Sequence, residues 1–270
     1  SQDNLTLIYS TFLKGYLEGG GSQGVPVPAK TLDIVPGIVA TVLEIHNKSH
    51  TSFRKTAVNF HYEFNMRHLT QVFQGLLLSN VTTFNEPSKL VRLMLHELER
   101  VYGDMLVTSA DLATYRKFSN DLVRRRFNGK GFAPEDIFVD PLLFVSLSQG
   151  EGGVYDDVPS FEWIQNVLQK ALADYNETFA TMNLVLFEDA IRHICRVMRA
   201  LCLPGGHMLL VGVGGSGRQS LSRLASYVAE HEVLQVSIGE GYGVSDLKED
   251  LKQMFNQAGK KDNAVCFLLT

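Results

Sequence analysis

A glycine-rich run that ends in a basic residue carries the clearest chemistry in this sequence. Residues 212–220 read Gly-Val-Gly-Gly-Ser-Gly-Arg-Gln-Ser, close to the phosphate-binding pattern G-x-x-x-x-G-K-[ST] that joins a strand to a helix. In such a loop the glycines let successive N–H groups point inward, and the helix N-terminus adds the positive end of its dipole. A plain tight turn is the alternative, but four glycines in this context favour a phosphate cradle. The predicted phosphate ligands are Gly212, Gly214, Gly215, Ser216 and Gly217.

Three residues at the end of the loop determine whether it could hydrolyse a nucleotide as well as bind it. Arg218 takes the lysine position and keeps the positive charge, but its guanidinium is planar and bulkier than an ammonium group. Gln219 takes the position whose hydroxyl would bind Mg²⁺. Ser220 has a hydroxyl, but it lies about 100° further around the helix. The loop therefore predicts binding of ATP or ADP more firmly than hydrolysis, with Mg²⁺ held at best by the Gln219 amide oxygen.

Hydrolysis also requires an acid at the end of a later strand, to hold Mg²⁺ and orient water. The apolar run 264–269 predicts that strand, and Thr270 follows it without an acid. We therefore expect this chain not to hydrolyse ATP by itself. We interpret residues 182–270 as the N-terminal part of a P-loop domain, truncated before the acidic strand end.

The elements that position the loop follow from a change of hydrophobic period near His207. Before it, apolar residues recur at helical spacing; after it, short apolar runs alternate with helical stretches, which is typical of a parallel sheet. The predicted helices are 4–18, 31–50, 65–79 with Asn65 as N-cap, one opened by Pro87, 109–127, a long one capped by Ser160, 187–202, one from Gly217, and 246–258. The predicted strands are 207–211, 233–236 and 264–270.

These elements predict a mainly α-helical bundle followed by a partial α/β P-loop domain with a parallel sheet. We divide the chain into a helical subdomain over 1–127, a connector with a long helix over 128–181, and the start of the α/β domain over 182–270. The glycine-rich stretch 18–24 reads as a surface loop.

The apolar stripes predict which helix faces point inward. In the first helix the inward residues are expected to be Leu5, Ile8, Tyr9, Phe12, Leu13 and Tyr16. In the helix capped by Ser160 they are Ile164, Leu168, Leu172, Tyr175 and Phe179. In the helix 187–202 the opposite face carries Arg192, Arg196 and Arg199, which we interpret as a solvated or inter-domain face.

Composition narrows the class of protein. The chain has 270 residues, of which 45% are hydrophobic and 20% charged, with a net charge of -4, so it is foldable and not disordered. That charge favours neither nucleic acid nor anionic lipid as a partner. No apolar run reaches membrane-spanning length, and the polar start lacks a signal-peptide core. The three cysteines, without a C-x-x-C pair, indicate buried reduced thiols in a cytosolic or cytoskeletal protein.

Other groupings of reactive residues give weaker predictions. His46 and His50 stand four residues apart on a predicted helix, but a third metal ligand is not evident. The run 124–126 is a basic cluster at a helix end, where it favours the carbonyl dipole. Asp156 and Asp157 are expected in a loop, solvated and not catalytic.

Two parts of the chain resemble a known family. Residues 182–190, His193, Arg196 and 209–221 closely resemble the opening of the fourth AAA+ module of dynein heavy chains, and the Arg-Gln-Ser ending resembles the axonemal members. The downstream stretches 242–243 and 250–252 are similar to the same module. Upstream, 61–67 and 72–75 resemble the lid helix of the third module, and 26–30 does so weakly.

The resemblance implies roles that the residues alone do not. Residues 1–127 would be the lid of one AAA+ module, and Arg67 would be a sensor for the nucleotide of that preceding module. His68 departs from the family, which usually has an acid there. Val185, Leu186 and Phe187 would flank the adenine. By sequence alone, Arg67 is an ordinary surface arginine and residues 185–187 are core.

The resemblance also implies a setting. The family forms a ring-shaped microtubule motor that hydrolyses ATP mainly at its first module, and this segment would add a regulatory or structural nucleotide site. Its partners would be the other AAA+ modules of the same chain and, through the parent protein, microtubules and dynein subunits. Nucleic acid and membrane are not expected as partners. The expected location is the cytoplasm and cytoskeleton, in the axoneme of a cilium or flagellum.

Two alternatives remain open on the sequence. One is a purely structural ring segment whose degenerate P-loop no longer binds nucleotide, which Arg218 and Gln219 support. The other is a different P-loop protein, such as part of an AAA+ remodelling ATPase or a small kinase. The helical half before the loop argues against a small kinase.

Overall fold

The computed structural model describes residues 2–19, 24–25, 27–80, 83, 85–147, 154–236 and 238–270. Most of the predicted glycine-rich loop (20–23), Pro26 of the weakly matching stretch 26–30, and 148–153 of the predicted connector lie outside the described residues. The chain divides into two units: the first comprises residues up to 144 with 155–157, and the second 145–154 with 158–270.

The first unit is a bundle of helices. Its helices are α1 (Gln2–Glu18), α2 (Ala29–Leu32), α3 (Val35–Ser52), α4 (Met66–Leu76), α5 (Pro87–Val101), α6 (Ser109–Phe127) and the short α7 (Pro134–Ile137), with a 3₁₀ turn at Gly103–Met105. The predictions at 65–79, from Pro87 and over 109–127 are confirmed within a few residues. Pro87 stands in the first turn of α5, where its missing N–H costs nothing.

A capping box starts α4. The Asn65 side chain accepts a hydrogen bond from the Arg67 backbone N–H at 3.0 Å, and the backbone N–H of Asn65 donates to Nδ1 of His68 at 3.1 Å. His68 thus takes the part that Glu or Gln usually takes in this motif. Its ring must therefore be unprotonated at Nδ1.

Two predictions about the first helices are wrong. The predicted helix 31–50 is broken into α2 and α3, because Pro36 lies in the first turn of α3 and lacks the N–H that an unbroken helix requires there. In α1, Ile8 and Phe12 are 46% and 64% exposed. The buried stripe instead runs through Tyr9, Leu13 and Leu17, since Tyr9 stacks on Phe73 of α4 with ring centroids 4.2 Å apart.

Arg92 is a buried charged side chain of the first unit. It lies on α5, is 4% exposed, and donates five hydrogen bonds. Two go to the Asp157 carboxylate at 2.8 and 3.0 Å, and three go to the backbone carbonyls of Ile137, Val139 and Pro141 at 2.9, 2.9 and 3.1 Å. Burial is the main influence on the pKa of Asp157 and raises it, whereas Arg92 opposes that rise. Asp157 is therefore held by an ion pair and not solvated in a loop, contrary to the prediction.

A second buried polar group of α5 is Glu97, which is fully buried. Its Oε1 accepts a hydrogen bond from the Tyr155 hydroxyl at 2.7 Å. The backbone of Gly75 on α4 lies so close that a Cβ built there would stand 1.8 Å from Glu97 Oε2. Position 75 therefore has room only for hydrogen.

The predicted connector has structure of its own. Besides α7, it contains two strands that pair with each other, β1 (Phe144–Leu147) and β2 (Val154–Asp157). The basic run 124–126 ends α6, as expected. Arg125 and Arg126 form ion pairs with Glu44 of α3, and the Arg124 guanidinium stacks over the ring of Phe138.

The second unit combines four helices with a parallel strand pair. Its elements are α8 (Phe161–Thr178), α9 (Glu188–Cys202), α10 (Arg218–Val228), β3 (Glu232–Val236), α11 (Val244–Phe255) with a π-helical turn at 256–260, and β4 (Val265–Leu269). β3 and β4 pair in parallel, from Glu232 opposite Val265 to Val236 opposite Leu269. α10 packs on α8, α9 and β3, and Tyr175 meets Tyr227 edge to face at 5.3 Å. A mainly helical chain with a small parallel sheet is confirmed.

The strand predicted at 207–211 is absent from the described residues. This segment lies in no helix, and it pairs with neither β3 nor β4. Leu209 and Val211 are 87% and 86% exposed. An apolar run identifies a strand only when a neighbouring strand satisfies its backbone groups, which sequence periodicity cannot reveal.

Other expectations for the second unit need correction. On α9, Arg199 is buried and Arg192 lies over the ring of Phe161 at 4.4 Å, so the arginine face is not simply solvated. Phe179, expected inward at the end of α8, is 53% exposed. All three cysteines are free, but only Cys195 is fully buried. Among the described residues, no helix has the length and apolarity to cross a membrane.

We predict that Arg92→Met lowers the free energy of unfolding of the first unit by about 3 to 5 kcal/mol, because Asp157 would keep a largely buried charge without its partner. The measurement is urea unfolding followed by far-UV circular dichroism. Fluorescence is unsuitable, since the single tryptophan, Trp163, lies in the second unit. The matched control is Arg116→Met, whose exposed pair with Glu99 should contribute less than about 1 kcal/mol. Equal effects of the two changes would contradict the prediction.

We also predict that the first unit loses stability in mild acid. Burial, then the nearby His50 and His68, lower the pKa of His46, and burial lowers that of His68. As the pH falls below the ordinary histidine pKa of about 6.5, the unfolded chain gains protons before the folded chain does. Stability should be full above about pH 6.5 and decline as the pH falls toward the folded pKa values.

Urea midpoints measured from about pH 7.5 to 5 test this pH dependence. A His46→Gln variant removes one of the titrating groups, so its decline should be shallower than that of the unaltered chain. Identical slopes for the two proteins would rule out His46 as a cause.

Candidate nucleotide-binding site

The loop at 212–217 has the backbone that the glycine pattern requires. Gly215 and Gly217 both adopt φ of 76°, a left-handed conformation that costs other residues about 1 to 2 kcal/mol. Nothing lies within 4 Å of a Cβ built on Gly214, Gly215 or Gly217, so the space beside these glycines is open. Gly217 is the N-cap of α10 and has no side chain to cap it, which leaves the first N–H groups of α10 to a ligand or to water. The loop thus fits a phosphate group.

Arg218 folds back over this loop. Its Nη1 donates to the carbonyl of Leu210 at 3.4 Å and its Nη2 to that of Val213 at 3.2 Å. The close approach depends on Gly212, where a Cβ would meet Ser216 Oγ at 3.1 Å and Arg218 Cδ at 3.6 Å. In this arrangement the guanidinium holds the loop itself, and a phosphate would compete with two carbonyls for it.

The loop offers few side-chain ligands at the position where Mg²⁺ would bind. Gln219 is exposed and has no hydroxyl. Ser220 is partly buried, and no side-chain hydrogen bond of its hydroxyl occurs among the described residues. Ser222 donates to the carbonyl of Arg218 at 2.8 Å, one helical turn back, and so faces the helix. The residues present fit a nucleotide phosphate better than they fit a hydroxyl-bound Mg²⁺.

The segment before α9 lies along α8. Asn176 makes two reciprocal hydrogen bonds with the backbone of Met182, donating to its carbonyl at 3.2 Å and accepting from its N–H at 2.8 Å. Gln165 donates to the carbonyl of Leu186 at 3.0 Å. Leu186 is buried, whereas Val185 and Phe187 are 75% and 59% exposed. The sequence-based interpretation of all three as core residues is therefore wrong for the outer two.

The structure brings some of the predicted site residues into one unit. Residues 212–220 and 185–187 all belong to the second unit, whereas Arg67 belongs to the first and is exposed in the first turn of α4. Sequence reasoning missed the amides of Gln165 and Asn176. The signal available was their spacing of eleven residues, which places two polar side chains on one face of a helix.

His46 and His50, which the sequence suggested as metal ligands, instead contact other groups of the protein. Nδ1 of His46 is 2.8 Å from the hydroxyl of Tyr102, and Nδ1 of His50 is 3.0 Å from the carbonyl of Phe64. Across the part of the chain that the structure describes, no group of three or more potential ligands is placed to hold a metal ion.

Two family models match separate parts of the chain, one in each structural unit. Residues 182–270 match the model described as P-loop containing dynein motor region D4. Residues 38–133 match the model of the AAA+ lid domain. A P-loop AAA domain implies nucleotide binding.

Individual relatives match over the whole chain. It is 41% identical to "Dynein alpha chain, flagellar outer arm" of Chlamydomonas reinhardtii, 40% to "Dynein beta chain, ciliary" of Tripneustes gratilla, and 42% to "Dynein axonemal heavy chain 17" of Homo sapiens, over 100% of its length in each case. It spans only 6% of the length of these curated relatives.

We predict that Arg218→Ala loosens the unliganded loop. Amide hydrogen exchange at 212–217, measured on the millisecond-to-second scale, should become about tenfold faster, because two hydrogen bonds to the loop carbonyls are lost. Lys248→Ala, at an exposed position of α11, is the control and should leave the exchange unchanged. If exchange at 212–217 is the same in all three proteins, Arg218 does not hold the loop.

Proposed function

This chain belongs to the axonemal dynein heavy chains, as a segment that covers an AAA+ lid and the D4 P-loop motor region, and we propose that its loop at 212–220 is a regulatory ATP- or ADP-binding site. One observation carries the proposal: an open loop with two left-handed glycines ends at an uncapped helix N-terminus. Backbone N–H groups, the helix dipole and one positive charge suffice to bind a diphosphate.

Different residues are proposed to contact the phosphates and the adenine of the nucleotide. Gly212, Gly214, Gly215, Ser216 and Gly217 cradle the phosphates, with Arg218 and Ser220 at the start of α10 beside them. Arg218 would exchange a loop carbonyl for a phosphate oxygen, a stronger acceptor because it is charged. Val185 and Phe187 offer exposed apolar surface for the adenine, with Leu186 as their buried anchor.

We propose that this site binds nucleotide without turning it over in this chain. Gln219 gives Mg²⁺ no hydroxyl, and Ser220 lies about 100° further around the helix. Asp246 already accepts the backbone N–H of Gly243 at 2.8 Å as the cap of α11. Phosphoryl transfer depends on the metal, the oriented water and stabilisation of the developing charge together.

The wider role is proposed from family membership. Within a dynein heavy chain the site would act among other AAA+ modules, and microtubules and dynein subunits would be reached through the parent protein. Arg67 would serve as a sensor for the nucleotide of the module to which the lid belongs. Its exposure in this chain leaves its guanidinium accessible for such a contact.

A purely structural segment is the second candidate. The observation that favours it is the guanidinium of Arg218, which already bonds the carbonyls of Leu210 and Val213. If that contact is never exchanged for a phosphate, the loop is a self-contained turn and binds no nucleotide. Measurement of binding separates the two candidates.

We predict that the purified chain binds ADP, measured by isothermal titration calorimetry, and releases no phosphate from ATP above background. Arg218→Ala should weaken ADP binding by about tenfold or more, as expected for a lost charge-assisted hydrogen bond. Arg67→Ala is the control, and it should leave ADP affinity at this loop unchanged because its expected partner is a different nucleotide.

Two results would contradict these expectations in different ways. Absence of ADP binding would favour the structural candidate. Steady phosphate release that Arg218→Ala abolishes would mean that another acid, such as Glu240 or Asp246, completes a catalytic site.

A further inference from the structure

We propose that Gln165 and Asn176 on α8 are positioning residues for the base-binding strip 185–187, and that they set nucleotide affinity through the base and not through the phosphates. This inference rests on the proposed nucleotide site and adds to it two residues from outside the loop. It is carried by the three hydrogen bonds between these amides and the extended segment 182–186.

The two amides lie on one face of α8. Eleven residues separate them, which is about 20° from a whole number of turns and about 16.5 Å along the axis. Their backbone partners, Met182 and Leu186, are four residues apart, or about 13 Å in an extended chain. Gln165 pairs with the later residue and Asn176 with the earlier one, so the segment runs antiparallel to α8. The spacing of the amides exceeds the length of the segment by about 3 Å, a difference that the two flexible side chains span.

These bonds replace the strand pairing that the segment does not have. Residues 181–187 lie in no helix and in neither strand pair of the described chain, and their side chains alternate between more and less exposed positions, as in an extended chain. A lone extended segment has backbone groups that must find partners elsewhere. At Met182 the Asn176 amide satisfies both the N–H and the carbonyl, and at Leu186 the Gln165 amide satisfies the carbonyl. The segment therefore depends on two side chains for its shape.

The hydrogen-bonded conformation of segment 182–187 determines the direction in which Val185 and Phe187 point. Side chains alternate along an extended chain, and here Leu186 turns inward while Val185 and Phe187 turn out to solvent. Two neighbouring apolar side chains on one exposed edge suit the flat face of a purine. Without the Gln165 bond the edge would be ordered only when the base binds, and that ordering would weaken binding.

The phosphates and the base can be tested separately, because inorganic tripolyphosphate occupies a phosphate cradle but has no base. In calorimetric titrations of the full chain, Gln165→Ala should raise the Kd for ADP about three- to tenfold, the range for one lost hydrogen bond. The Kd for tripolyphosphate should change less than about twofold. Gln165→Glu, which keeps the shape of the side chain but loses the donor, should give the same pattern.

Asn176→Leu tests the other end of the strip and should also weaken ADP selectively. Gln169→Ala is the matched control: Gln169 is an exposed glutamine one turn further along α8 with no side-chain hydrogen bond among the described residues. It should change neither Kd. Amide hydrogen exchange at 182–187 should rise in the Gln165 and Asn176 variants and not in the control.

Each other outcome has one meaning. Equal weakening of ADP and tripolyphosphate would overturn the inference, since the amides would then support the unit as a whole. Unchanged ADP affinity in the Gln165 variants would overturn it while leaving the proposed function intact. A failure of the unaltered chain to bind ADP would overturn the proposed function and this inference with it.

Discussion

A buried positive charge constrains the first unit more than any other interaction described. The guanidinium of Arg92 lies inside the bundle on a helix that is buried on all sides, and such a charge is tolerable only when every donor has an acceptor. Five acceptors are provided, three of them backbone carbonyls between 137 and 141. The path of the chain after α7 follows from that requirement.

Local signals in the sequence predicted the elements that carry their own start and stop residues. Asn65 and Pro87 mark helix starts, and both are where the pattern placed them. Signals that depend on distant partners gave wrong predictions. Phe12 belongs to an apolar stripe, but it is 64% exposed beside the buried residues Tyr9, Leu13 and Leu17 of α1. The run 207–211 is apolar, but it lacks a paired strand among the described residues.

The candidate site divides in the same way. The phosphate loop could be predicted because its chemistry lies in consecutive residues whose φ angles favour glycine. The strip 185–187 could not, because its shape depends on side-chain amides of another element, which lie 21 and 6 residues before their backbone partners. Family resemblance identified the strip, whereas the side-chain hydrogen bonds from α8 that hold it became apparent only in the structure. In the second unit the phosphate-binding residues are consecutive in sequence, whereas the strip is positioned by side chains of a different element.

The contact between Gly75 and Glu97 has a consequence for inherited variation. Gly75 belongs to the first unit and not to the candidate site, and a survey of missense changes guided by ligand contacts would pass over it. Yet a single added methyl group there would collide with a buried carboxylate that the Tyr155 hydroxyl holds in place. Even glycine to alanine, the mildest exchange by chemical similarity, should be poorly tolerated at this codon, and its harm would appear as a shortage of folded protein, not as altered nucleotide chemistry.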